Sequence, residues 1–135
     1  MSLEAHILPV RVFYEDTDMA GIVYYANYLR YIERARSDIV EQLGLDQRAM
    51  REDGIVFVVT RVEADYLGTA KFGDRLEVHT THHAKGAVRW VFDQEVKRGG
   101  TTIFKAIVTA VCMNTDGKPQ RLPANLRLPP PDTVA

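Results

Sequence analysis

Apolar and polar residues follow two different periods along this chain, and the change of period marks the predicted elements. Between positions 10 and 15 they alternate with a period of two, which predicts a first strand. From Tyr28 to Leu43 the apolar residues recur every three or four positions, which predicts one long amphipathic helix. Asn27 is its predicted N-cap, and Gly44 fits the left-handed position after its last turn. The predicted apolar face consists of Leu29, Ile32, Ile39, Val40 and Leu43.

The second half of the chain has the pattern of strands separated by turns. A short helical segment is predicted first, over residues 47–53. Alternation and enrichment in valine then predict four strands, over residues 55–66, 75–84, 88–97 and 103–113. The predicted fold class is α+β, with one long helix against a five-stranded antiparallel sheet. One helix covers only one face of such a sheet and leaves its edges open, so we expect self-association.

Composition narrows the class of protein further. With 135 residues, 46% of them apolar, the chain fits one domain over 1–135, in which residues 129–135 form a frayed, proline-rich tail. A formal net charge of -1 argues against binding nucleic acid through bulk electrostatics. A single cysteine excludes an intrachain disulfide. No apolar stretch has the length of a transmembrane segment and the first residues lack the pattern of a secretory signal, so we expect a cytoplasmic protein.

The candidate catalytic residues lie between the first strand and the long helix, in the segment YEDTDMAGIVYYANYLRYIERAR that starts at Tyr14. Three carboxylates, from Glu15, Asp16 and Asp18, come just before the predicted helix. A helix N-terminus carries unpaired N–H groups and a partial positive charge, so acids there are often simple capping charges. The same N–H groups can also stabilise a developing oxyanion, with a carboxylate nearby to attack or to deprotonate water.

The segment resembles the hotdog-fold thioesterases of the 4-hydroxybenzoyl-CoA thioesterase group, and in particular the acyl-CoA thioesterases associated with the Tol-Pal system. The residues that carry the resemblance are Asp16-Thr17-Asp18, Gly21-Ile22-Val23-Tyr24-Tyr25, Asn27-Tyr28 and Glu33-Arg34-Ala35-Arg36. A weaker likeness continues through Phe72-Gly73-Asp74 and Arg121-Leu122-Pro123, so it covers nearly the whole chain. Tyr25 departs from several Tol-Pal-associated members, which carry histidine there, and is similar to the 4-hydroxybenzoyl-CoA enzyme.

This resemblance implies an enzyme that hydrolyses the thioester of an acyl-CoA to a free acid and CoA, without a cofactor. It implies Asp18 as nucleophile or general base and the backbone N–H of Tyr25 as oxyanion donor, with Gly21 letting the backbone bend between them. The other substrate-binding candidates are Val23, Tyr24 and Tyr14. Asp16 and Glu15 are interpreted as solvated or structural. A site shared between subunits is also implied, and hence a homo-oligomer, either a dimer or a tetramer built from two dimers.

The remaining polar residues carry weaker predictions. The basic candidates for binding CoA are Lys71, Arg89, Lys97 and Arg98. His82 and His83 are adjacent in a predicted strand and point to opposite faces, so no metal site is predicted. Two other functions stay open. One is a hotdog hydratase or dehydratase, although the histidine that typically follows the aspartate by five positions is missing after Asp16 and Asp18. The other is a module that binds acyl-CoA without catalysis.

Overall fold

The computed structural model describes residues 4–126 of the chain. Its strands are β1 (His6–Arg11), β2 (Ile55–Tyr66), β3 (Arg75–Lys85), β4 (Arg89–Arg98) and β5 (Thr101–Asn114), and its helices are α1 (Asn27–Gln42) and α2 (Gln47–Glu52). Short 3-10 turns lie at Tyr14–Asp16 and Ala124–Leu126. The predicted α+β class is confirmed, whereas the predicted frayed tail at 129–135 lies outside the described residues. Among the described helices, none combines the length and apolar character that crossing a bilayer requires.

The five strands form one antiparallel sheet in the order β1-β3-β4-β5-β2. Strands β3, β4 and β5 follow one another as antiparallel neighbours. Strand β2 does not lie beside β3, although it directly precedes β3 in the sequence. It crosses to the far edge and pairs with β5, from Ile55 opposite Asn114 to Tyr66 opposite Phe104. Strands β1 and β2 are therefore the two edges of the sheet.

Helix α1 packs one face on the sheet, and this face differs from the predicted one near the start of the helix. Leu29, predicted to be buried, is 39% exposed, whereas Tyr28 and Tyr31 are 3% and 0% exposed. Tyr28 stacks on Phe104 of β5 with 5.1 Å between ring centroids, so aromatic rings fill the space that the pattern assigned to Leu29. The helix ends just before Gly44, whose φ of 74° is the predicted left-handed conformation.

Strand β1 lies at His6–Arg11 and not at the predicted residues 10–15, and the side chain of Asp16 accounts for its earlier end and for the start of α1. Strand β1 ends at Arg11, because the Asp16 carboxylate accepts a hydrogen bond from the Phe13 N–H at 2.8 Å and so competes with continued strand pairing. The other carboxylate oxygen accepts from the Asn27 side chain at 2.9 Å. Asn27 is therefore the first residue of α1 and not its cap, and the cap position falls to Ala26.

A buried polar network fixes α1 on the sheet. The amide nitrogen of Gln94, a fully buried residue of β4, donates to the carbonyl of Ile32 at 2.9 Å and to the hydroxyl of Thr80 at 3.0 Å. Its amide oxygen accepts from the guanidinium of Arg36 at 3.0 Å. Because the buried amide has partners on both of its polar atoms, the network sets the position of α1 against β3 and β4 without leaving the amide unsatisfied.

Strand β2 presents an open and largely apolar edge. Val58, Val59, Val62 and Tyr66 are between 37% and 46% exposed. In the part of the chain that the structure describes, β2 pairs with β5 alone, so its outer backbone groups face away from the sheet. A long apolar edge of this kind is a template for pairing with another strand.

Candidate active site

The acidic loop, residues 16–25, joins the first 3-10 turn to α1 and folds back on itself as a small hairpin. Thr17 and Val23 form an antiparallel bridge, and the N–H of Asp18 donates to the carbonyl of Ile22 at 3.0 Å. Gly21 closes the hairpin with a φ of 80°, a left-handed conformation that residues with a Cβ rarely adopt. The base of the hairpin is tied to the rest of the protein, because the Val23 N–H donates to a backbone carbonyl of the segment before β3 at 2.8 Å.

Asp18 lies exposed in this hairpin with its carboxylate held in one orientation. One oxygen accepts a hydrogen bond from the N–H of Ala20 at 2.9 Å, which is the geometry of an Asx turn. Within residues 4–126, the other oxygen accepts no hydrogen bond. The turn therefore orients the carboxylate and leaves one oxygen open to solvent, as a nucleophile or a general base requires.

Asp16, only two residues earlier, has the opposite role. It is 4% exposed and accepts from Phe13 and Asn27 through its carboxylate, and its backbone carbonyl accepts from the N–H of Tyr24 at 2.9 Å. Of the two interpretations of Asp16 given above, the structural one holds and the solvated one is wrong, because its carboxylate is buried and paired. Glu15, in contrast, is exposed.

Tyr31 of α1 is an additional neighbour of Asp16 that the sequence did not single out. Its hydroxyl is fully buried near the Asp16 carboxylate without a hydrogen bond of ordinary geometry. Burial, reinforced by the charge of Asp16, raises the pKa of Tyr31, so its hydroxyl stays protonated. The start of α1 is thus held to the acidic loop by buried groups rather than by a capping side chain.

The backbone at Tyr25 leaves one N–H group free. The Tyr24 carbonyl accepts from the N–H of Asn27 at 2.8 Å, which closes a turn that leads into α1. In a planar trans peptide the C=O and N–H point in opposite directions, so the N–H of Tyr25, in the same peptide, points away from the helix. Within the described chain it donates to no acceptor. It is therefore an open donor at the positive end of α1, where a developing oxyanion would be stabilised.

An aromatic surface adjoins this open N–H. Tyr24 and Tyr25 are 46% and 62% exposed, with 5.0 Å between their ring centroids. The ring of Tyr66, at the end of β2, lies 6.1 Å from that of Tyr25, and its hydroxyl donates to the Tyr25 carbonyl at 3.0 Å. Sequence reasoning missed Tyr66, because it lies far from the acidic loop in the sequence and only the pairing of β2 with β5 brings it there.

Two of the predicted substrate-binding residues lie outside this surface. Val23 is 3% exposed and belongs to the core, so its side chain supports the acidic loop rather than lining an open surface. Tyr14 is 78% exposed, and its ring packs edge-on against Phe72 at 6.0 Å. In the described residues its ring contacts do not extend to Tyr24 or Tyr25.

The basic residues predicted to bind CoA are divided between two regions. Lys71 lies on the segment that bridges to the acidic loop, and the guanidinium of Arg98 donates to the backbone carbonyl of Thr69, two residues before Lys71. Lys97 adjoins Arg98 in β4, but it is half-buried and alternation directs it to the other face of the sheet. Arg89 begins β4 and lies ~26 Å from Lys97 along the strand. Of the four, Lys71 and Arg98 therefore lie at the same end of the sheet as the acidic loop without being turned to the other face, as Lys97 is.

Comparison with known proteins gives a consistent result over nearly the whole chain. The model of the Thioesterase-like superfamily matches residues 12–134. The chain is 34% identical to the acyl-CoA thioester hydrolase YbgC of Escherichia coli O157:H7. The alignment spans 120 residues and covers 87% of this chain and 90% of that protein. It is 40% identical to the acyl-CoA thioesterase YbgC of Haemophilus influenzae, in an alignment of 108 residues that covers 78% of this chain and 79% of that protein.

Solved structures give the same answer at the level of the fold. A probable thioesterase from Bartonella henselae superposes with a TM-score of 0.82 at 30% sequence identity, over 88% of this chain and 99% of that one. A 4-hydroxybenzoyl CoA thioesterase mutant complexed with 4-hydroxybenzoyl CoA superposes with a TM-score of 0.82 at 25% identity, over 92% of this chain and 96% of that one.

Proposed function

The chain belongs to the thioesterase-like superfamily, as the sequence of its acidic loop predicts, and we propose on that basis that it hydrolyses acyl-CoA to a free acid and CoA. The names of its YbgC relatives support an acyl-CoA substrate and favour this function over a hydratase or a non-catalytic module. One observation carries the assignment of the site. A carboxylate with an open oxygen, from Asp18, lies on the same ten-residue loop as an open backbone N–H, from Tyr25.

In this proposal the two groups act on opposite ends of the thioester carbonyl. The Tyr25 N–H binds the carbonyl oxygen and stabilises the negative charge that develops on it. As a general base, Asp18 takes a proton from water while the water oxygen adds to the carbonyl carbon. The C–S bond then breaks, and the CoA thiolate takes up that proton. As a nucleophile, the carboxylate adds directly and expels the thiolate, and water then hydrolyses the resulting mixed anhydride.

The surroundings of the site support a bulky substrate with a charged carrier. The exposed rings of Tyr24, Tyr25 and Tyr66 provide an apolar surface for an acyl group beside the reacting carbonyl. Lys71 and Arg98 lie at the same end of the sheet and are the proposed contacts for the phosphates of CoA.

We further propose that the active form is a homo-oligomer, a dimer or a tetramer made of two dimers. The open edge of β2, with its exposed valines, supports pairing with a second copy. Tyr66 is the last residue of β2, so a second copy paired with this edge would lie beside the aromatic surface that is proposed to hold the acyl group. A cytoplasmic location is proposed as well, and the buried free thiol of Cys112 is compatible with it.

The proposed reaction is tested by replacing Asp18 with its amide. Asp18→Asn can still accept the hydrogen bond from the Ala20 N–H, so the Asx turn is preserved while the charge is removed. We expect kcat to fall by on the order of a hundredfold or more, measured as release of free thiol from short, long and aromatic acyl-CoAs. Glu15→Gln, an exposed carboxylate in the same segment, is the matched control and should leave kcat unchanged. Near-normal hydrolysis by Asp18→Asn would contradict the proposal.

A further inference from the structure

Tyr66 makes a hydrogen bond that neither the family resemblance nor the acidic loop accounts for. Its hydroxyl donates to the backbone carbonyl of Tyr25 at 3.0 Å, across a separation of 41 residues. Its ring is held by edge-on contacts with three other rings, those of Tyr25 at 6.1 Å, Tyr28 at 5.8 Å and Phe104 at 5.0 Å. The direction of the hydroxyl is therefore fixed by the packing of β2, β5 and α1.

The carbonyl that Tyr66 binds lies in the peptide that follows Tyr25. The preceding peptide, which contains the open Tyr25 N–H, is fixed separately, because the Tyr24 carbonyl accepts from the Asn27 N–H at 2.8 Å. With the peptides on both sides of its Cα held, Tyr25 has little freedom in either φ or ψ. The direction of its N–H then depends on both hydrogen bonds.

We propose that Tyr66 is a positioning residue that keeps the Tyr25 N–H aimed at the thioester oxygen. This inference rests on the proposed function, since it assigns Tyr66 a role in that same site. Preorganised donors stabilise an oxyanion because they need no reorganisation during the reaction, so loosening one lowers kcat more than it affects substrate binding. Burial, with a contribution from Tyr25, raises the pKa of Tyr66, and its hydroxyl therefore remains a donor at neutral and mildly alkaline pH.

The test removes the hydroxyl and keeps the ring. In Tyr66→Phe we expect kcat to fall roughly three- to tenfold, which is the effect of losing one neutral hydrogen bond. KM should stay within about twofold of the KM of the wild-type protein. Thr60→Val is the matched control, because it removes a hydroxyl from the same edge strand whose bond, at 3.4 Å, goes to β5 and not to the acidic loop. Its kcat should be unchanged. Circular dichroism at the assay temperature confirms that each variant is folded.

A spectroscopic measurement separates positioning from a general loss of packing. The carbonyl stretching frequency of an acyl-CoA bound to Asp18→Asn, measured by Raman difference spectroscopy, falls when a donor binds the carbonyl oxygen. Adding Tyr66→Phe should move that frequency back towards the value of free acyl-CoA.

The outcomes distinguish the inference from the proposed function. If the unchanged protein releases no thiol from any acyl-CoA, the proposed function fails. If the unchanged protein is active and Tyr66→Phe has the same kcat and the same carbonyl frequency, the role of Tyr66 is overturned while the proposed function stands. A rise in KM with unchanged kcat would also overturn it.

Discussion

The N–H of Tyr25 can be deleted without removing any hydrogen bond that the described chain makes, which allows a direct test of its assignment. Tyr25→Pro removes only that donor from the backbone. Tyr25 is the second residue of the turn that the Asn27 N–H and the Tyr24 carbonyl close at 2.8 Å, and proline is favoured at this position of a type I turn. The next residue, Ala26, has φ of -72° and ψ of -18°, which is compatible with such a turn. We therefore expect the variant to fold.

The magnitude follows from the loss of one oxyanion donor, about 3 kcal/mol or roughly a hundredfold or more in kcat. Proline also removes the ring of Tyr25, which contacts Tyr24 and Tyr66. The matched control is Tyr25→Ala, which loses the same ring and keeps the N–H. The informative quantity is thus the ratio of kcat between the alanine and proline variants, which we expect to be on the order of a hundred.

The assay is thiol release at saturating acyl-CoA, after circular dichroism has shown that both variants are folded. If kcat of the proline variant lies within about threefold of kcat of the alanine variant, the backbone assignment is wrong. Tyr25→Phe addresses the competing hypothesis that the phenol donates a proton in place of the histidine of related enzymes. It should keep most of the activity, and a pH–rate profile like that of the unchanged protein. A loss in Tyr25→Phe as large as in Asp18→Asn would refute the backbone assignment.

Two further predictions concern stability and assembly. Asp16→Ala leaves the Phe13 N–H and the Asn27 amide without their acceptor, which costs ~1–3 kcal/mol each. The melting temperature should therefore fall by roughly 10 °C, whereas the control Glu15→Ala should leave it unchanged. Equal melting temperatures for the Asp16→Ala and Glu15→Ala variants would refute the structural role of Asp16. Sedimentation of the wild-type protein should show a dimer or a tetramer, and Val59→Lys, which places a charge on the β2 edge, should make this oligomer dissociate. An active wild-type monomer at micromolar concentration would refute the proposed assembly.

Local pattern was enough to predict most elements of the fold but not their arrangement. The bounds of β2 were predicted from its enrichment in valine, and the glycine that ends α1 was predicted from its position after the last periodic residue. The pairing of β2 with β5 was not predicted, because period and turn signals describe each strand alone and carry no information on its neighbour. The burial of Tyr28 in place of Leu29 has a similar cause, since its ring takes the space through its contact with Phe104, a residue of a distant strand.

The candidate site shows the same division between what is local and what is not. The resemblance of the acidic loop to the hotdog-fold thioesterases was sufficient to suggest Asp18 and Tyr25, because both lie on the short segment that carries this resemblance. What the sequence could not indicate is why the Tyr25 N–H is left open. That depends on Asn27, which binds both the Tyr24 carbonyl and Asp16, and on Tyr66, which arrives from the opposite edge of the sheet.

The donor at Tyr25 is therefore a property of the assembled fold and not of the loop alone. Three hydrogen bonds determine its direction, from the Asn27 side chain to Asp16, from the Asn27 N–H to Tyr24 and from the Tyr66 hydroxyl to Tyr25. A peptide that contains only the acidic loop would keep the carboxylate and the glycine but lose the bond from β2. Because β2 is also the open edge of the sheet, any partner strand that pairs with it would steady the residue that orients the donor. Assembly and catalysis would then be coupled through Tyr66.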